Sequence, residues 1–172
     1  MSDKRDQSKF IMLRYDNYIN GVNTKGNFLL VFNTFFAGLI TANYNSIILK
    51  VASPCGIIVF KVLLVLFLIC ALIAIVKIFQ AVYPFLKSGN SSKDAYHSLI
   101  FFQSVSEFES SKAYREKFEA QKEEDLHSDL VNQSYELAVG LKKKFKYISD
   151  AMHFIYAELV FIILMFLTVI IF

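Results

Sequence analysis

Three places in the chain hold residue types that can do chemistry. "DLHSD" carries Asp125, His127 and Asp129, side chains that ligate metals. On a helix these positions fan apart rather than converge, so no metal site is expected there. The second place is Glu158, the one acid in the apolar run "AMHFIYAELVFIILMFLTVIIF". A carboxylate among lipid-compatible residues is either a working group or the partner of a polar side chain on another helix. The third is "KKKFK", Lys142 to Lys146, whose cations suit the headgroups of anionic lipid or a small anionic ligand. His97, His127 and His153 are scattered singly. There is no glycine-rich phosphate loop, HExxH, CxxC or supported Ser-His-Asp order, so neither an enzyme nor a resident cofactor is expected.

The elements that carry these residues are set by composition. Of 172 residues 55% are hydrophobic and 16% aromatic, and the mean hydropathy is +0.45. A soluble domain of this size cannot bury that much apolar side chain, and the excess gathers in blocks. "IIVFKVLLVLFLICALIAIVKIF", residues 57–79, gives ~34 Å of helix, enough to span a bilayer. Lys61 and Lys77 bracket its centre and can snorkel to opposite headgroup layers; Pro54 and Gly56 precede it, and Pro84 stops it. Residues 151–172 form a second span of similar length. The opening span, 27–49, is interrupted by Asn33, Thr34, Thr41, Asn43, Asn45 and Ser46, which places it inside a bundle where polar groups find partners. Cys55 and Cys70 cannot form a disulfide framework, and a net charge of +3 is too small to suggest a binder of nucleic-acid polymers.

Lysine and arginine orient the spans. Residues 1–25 carry five and 87–150 carry ten, whereas the connection between the first two spans has only Lys50. The expected topology is a cytoplasmic N-terminal helix (1–26), a first span (27–49), an external turn (50–56), a second span (57–79), a cytoplasmic helical segment (80–150) and a third span (151–172) ending outside. The fold class is an all-α integral membrane protein with three transmembrane helices, the first and last extended into a cytoplasmic helical region. Ile11, Tyr15, Tyr18, Ile19 and Val22 recur at helical spacing ahead of the first span, and Leu126, Leu130, Leu137, Leu141, Phe145, Ile148 and Met152 do so ahead of the last. Residues 95–108 are aromatic and branched enough for a strand or a short packed segment, and "SSKAYREKFEAQKEEDL" (110–126) has the serine start and charged surface of a solvated helix.

The order "YINGVNTKGNFLLVFNTFFAGL", a second span, "SLIFFQSVSEFESSKAYREKFEA" and "DLHSDLVNQSYELAVGLKKKFKYISDAMHFIYAEL" resembles the transmembrane effectors of bacterial Pycsar anti-phage systems. The likeness runs from about Tyr15 to the last span. It rests on Asn23-x-Lys25, where the family pattern has Asp-x-Lys; on Leu99 to Phe102; and on Asp129-Leu130, Gln133, Leu137-Ala138, Lys144-Phe145 and Lys146-Tyr147. The resemblance implies a companion cyclase that makes cyclic CMP or cyclic UMP, and an effector that answers it by impairing the inner membrane and aborting the infection. A ligand-independent, holin-like or structural small membrane protein is the alternative, and the 64-residue segment 87–150 is longer than such a protein needs. A homo-oligomer is expected.

A cyclic mononucleotide needs a cation for its phosphate and a ring for its base. Arg14, Lys25, Lys144 and Lys146 are the candidate phosphate contacts, with Asn23 beside them. Tyr15, Tyr18 and Tyr147 are the candidate stacking rings, and Glu158 is the intramembrane candidate.

Overall fold

The computed structural model describes residues 2–83 and 98–172. Readings that fall on 84–97, among them Pro84, Lys87, His97 and the start of the 95–108 segment, lie outside the described residues. The regular elements of the described chain are all helices: α1 Ser2–Ala42, α2 Tyr44–Ile48, α3 Pro54–Val82, α4 Phe102–Ser106, α5 Ser111–Glu119 and α6 Glu123–Ile171. No strand occurs among the described residues. Three of these helices, α1, α3 and α6, are long and apolar enough to cross a membrane. The chain divides into two compact units, Met1–Gly21 with Pro84–Lys143, and Val22–Tyr83 with Lys144–Phe172. Both α1 and α6 contribute residues to each unit.

The second unit holds the apolar spans. In α3 the buried residues are Gly56, Phe60, Phe67, Ala71, Ala74, Ile78 and Ala81. Their steps of three, four and seven are the seam spacing of packed helices. The helix is apolar on every side, so periodicity of hydrophobic residues cannot select that seam. Small side chains do: without a hydrophobic drive in lipid, helices associate where alanine and glycine let backbones approach. Ala74 and Ile78 pack with Ala151 and Ile155 of α6 and with Leu29, Leu30 and Phe32 of α1. Towards the other end, Phe60, Phe67 and Met165 form a second cluster with Ile40, Ile47, Leu63, Phe161 and Ile162.

Two glycines are required by contact. A Cβ on Gly26 would lie 2.7 Å from Val82 Cγ2, and one on Gly56 would lie 2.5 Å from Cβ of Phe172 and 2.7 Å from Val51 Cγ1. Gly56 sits where the end of α6 meets the start of α3: the Ala52 and Ser53 amides both donate to the Phe172 carbonyl, at 2.8 and 3.0 Å. Gly56→Ala is expected to destabilise by about 1–3 kcal/mol, because overfilling a close approach forces the backbone apart. Equilibrium unfolding of the purified variant measures it, and an unchanged midpoint would mean that this end of the bundle is loose.

The opening span is less regular than a single 27–49 helix. α1 ends at Ala42, and one helical turn resumes at Tyr44. Thr41 Oγ1 donates to the Ala37 carbonyl at 2.7 Å and Asn43 Nδ2 to the Leu39 carbonyl at 2.8 Å. Such side chains compete with the backbone ladder and interrupt it. Of the polar residues in this span, Asn33 finds its partner on another helix.

The first unit is built around the start of α6. Ser110 caps α5, its Oγ accepting from the Ala113 amide at 3.2 Å, as the serine start of that segment suggests. The 95–108 segment is settled over its described part: α4 is a single turn, preceded by a bend in which Ser98 Oγ accepts from the amides of Ile100 and Phe101. Phe108, Tyr114 and Phe118 pack ring against ring with centroids 5.5 and 5.8 Å apart. An ion pair of 3.7 Å joins Arg5 of α1 to Glu123 of α6.

Candidate functional site

Lys144 is 5% exposed and lies two helical turns before Ala151, where the apolar run of α6 begins. Its ammonium donates to the carbonyls of Ala81 at 2.6 Å, Tyr83 at 3.1 Å and Val82 at 3.3 Å, and to Asn23 Oδ1 at 3.3 Å. Those carbonyls are the orphan acceptors at the C-terminal end of α3, where the helix dipole also favours a cation. α3 stops there because Tyr83 precedes a proline and takes extended geometry, φ −52° and ψ 136°. One lysine therefore ties three helices at one level. Burial pulls its pKa below the ordinary lysine value, while four oxygens within 3.3 Å favour the charged form, whose three N–H donors they occupy.

Asn23 and Lys144 are thus brought together, 121 positions apart in sequence. Lys25 and Lys146, two residues further along each helix, are exposed. Tyr147 is half-buried beneath Lys77, whose Nζ is 5.5 Å from the ring centroid, and the same lysine pairs with Asp150 at 3.8 Å. Lys77 is therefore held by an anion and a ring. Arg14, Tyr15 and Tyr18 belong to the first unit. Arg14 Nε donates to the Tyr18 hydroxyl at 2.9 Å, with the guanidinium 5.6 Å from that ring, and this hydroxyl raises the arginine pKa further. Arg14 and Tyr18 are exposed and Tyr15 is half-buried.

Inside the spans, Glu158 is 3% exposed and Asn33 fully buried. Asn33 Nδ2 donates to Glu158 Oε1 at 2.8 Å, which fastens α1 to α6 within the apolar layer. The amide oxygen of Asn33 has no described partner. His127 and Asp129 do not converge with Asp125, and no cluster with metal-binding geometry occurs among the described residues.

Sequence reasoning missed a polar interior in the first unit. Asp129 is fully buried, and its Oδ2 accepts the Leu99 amide at 2.9 Å, while the Tyr114 hydroxyl donates to the Leu99 carbonyl at 3.0 Å. The Leu99–Phe102 and Asp129–Gln133 motifs are thus docked on one another. An aspartate four residues before a glutamine on an otherwise apolar stripe is the signal that marks such a place.

A membrane protein whose first and last spanning helices are cross-tied by buried polar pairs is the class that this fold and site define. The chain belongs to the Pycsar effector protein domain family, whose model matches residues 7–171. It is accordingly a membrane effector of that antiviral defence. Neither a curated protein nor a solved structure matches the chain.

Proposed function

We propose that this effector is switched on by a cyclic pyrimidine mononucleotide, cyclic CMP or cyclic UMP, made by a companion cyclase during infection. It then impairs the inner membrane and the infection aborts. Family membership across residues 7–171 carries this reading. The architecture supports it: α1 and α6 each continue from the first unit into the spanning unit, so a ligand that favours one packing of the first unit acts on helices that reach the bilayer. The effector acts by disturbing the bilayer rather than by catalysis.

Expression alone is expected to be tolerated, and co-expression of the cognate cyclase to collapse the membrane potential, read with a potential-sensitive dye. Equal collapse with a catalytically dead cyclase would show ligand-independent action and overturn the reading.

The proposed topology places Met1 and the 87–150 segment in the cytoplasm and Phe172 outside. A periplasm-active reporter should be silent when fused after Lys87 or Lys122 and active after Phe172. Activity at Lys122 would reverse the assignment.

A further inference from the structure

Buried polar atoms without a described partner gather in the unit Met1–Gly21 with Pro84–Lys143: Arg5 Nε, Ser104 Oγ, Gln121 Oε1, His127 Nδ1, Asp129 Oδ1 and Gln133 Nε2. In the spanning unit Asn33 Oδ1 is the sole such atom among the described residues. An unmet buried donor or acceptor is costly, and proteins retain few without a use for them.

Two of these atoms are complementary in kind and belong to residues on one helix face. Asp129 and Gln133, 0% and 4% exposed, lie one turn apart on the same face of α6. Asp129 Oδ2 is engaged by the Leu99 amide, which leaves Oδ1 as an unmet acceptor. Gln133 Nε2 is an unmet donor and does not hydrogen-bond to Asp129. An acceptor beside a donor matches the Watson–Crick edge of a pyrimidine. In cytosine the exocyclic amine donates and N3 accepts; in uracil N3–H donates and O4 accepts. Above Asp129 lies the Ser98–Phe101 bend, held by the Asp129–Leu99 bond and by Tyr114.

We propose that Asp129 and Gln133 read the base of the messenger, Oδ1 accepting from it and Nε2 donating to it. This deepens the activation reading above and rests on it. It places base recognition inside the first unit rather than at Tyr147 or beside Lys25. Entry of the base displaces the Ser98–Phe101 bend, so occupancy of the site and movement of that cover are one event.

Titration calorimetry of the full chain in detergent, with cyclic CMP and cyclic UMP in separate runs, tests the assignment. Asp129→Asn keeps an oxygen for the Leu99 amide but puts an amine where Oδ1 stands. Gln133→Met keeps the shape and removes the donor, and Gln133→Glu exchanges the donor for an acceptor. Each is expected to weaken binding of the preferred nucleotide by ~10- to 150-fold, with the unfolding midpoint of the Gln133 variants within the range of the parent. Lys50→Ala, exposed in the turn after α2, should bind like the parent. Parental affinity in both Gln133 variants overturns the assignment while leaving the activation reading intact. A parent chain that binds neither nucleotide overturns the activation reading, and the assignment with it. If Asp129→Asn fails to fold, the two Gln133 variants decide.

Discussion

Lys144→Met is expected to destabilise the spanning unit by about 3 kcal/mol. Methionine fills the same volume but strips four oxygens of their donor: the carbonyls of Ala81, Val82 and Tyr83, and Asn23 Oδ1. The three carbonyls close α3, and water cannot replace a buried ammonium without reopening the junction. The measurement is equilibrium unfolding of the detergent-purified chain titrated with SDS. Lys146→Met, two residues away and exposed, is the control and should stay within about 0.5 kcal/mol of the parent. Equal small effects at both positions would mean that Lys144 is a headgroup anchor and that the three-helix tie contributes nothing. An Arg at 144 should restore little, because a guanidinium presents its donors in a planar fork rather than to oxygens converging on one point.

Asn33→Leu should cost about 2 kcal/mol, more than the bond itself is worth. Interhelical hydrogen bonds in membranes average ~0.6 kcal/mol. The larger part is the Glu158 carboxyl group left buried at 3% exposure without its donor. The double variant Asn33→Leu with Glu158→Leu removes both halves and is expected to return to within about 1 kcal/mol of the parent, so the two single effects will not add. That non-additivity in the same SDS titration identifies the pair; additive losses would show two independent sites. The double variant also separates structure from work. If it folds like the parent and still depolarises cells with the cognate cyclase, the pair is a fastening; if it folds and is silent, the intramembrane carboxyl group takes part in the action itself.

Both predictions concern residues whose types were legible and whose relations were not. Composition and run length determined three spanning helices, because 20-odd apolar residues have no other stable home. The unbroken stripes into the first and last spans foretold the long helices Ser2–Ala42 and Glu123–Ile171. Ser110 announced its cap through residue type alone. The resemblance carried by Asn23-x-Lys25, Leu99–Phe102 and the Asp129–Tyr147 motifs agrees with the family.

What chain-distant residues do to each other was decided only in three dimensions. Periodicity is silent in α3, where every side is apolar, so its packing seam is set by where Ala71, Ala74 and Ala81 meet partners. "KKKFK" reads as four equivalent cations, yet helical rotation turns Lys144 into the bundle and leaves Lys142 and Lys146 outside. Asn33 and Glu158 were each readable as polar intruders, but a hydrogen bond across 125 positions follows from the crossing of α1 and α6. The Asp129–Leu99 bond spans 30 positions and needs the turn at Ser98 to exist first. Local pattern fixes elements because backbone geometry and solvent act residue by residue. Ties between elements depend on helix rotation and register, which a one-dimensional pattern does not contain.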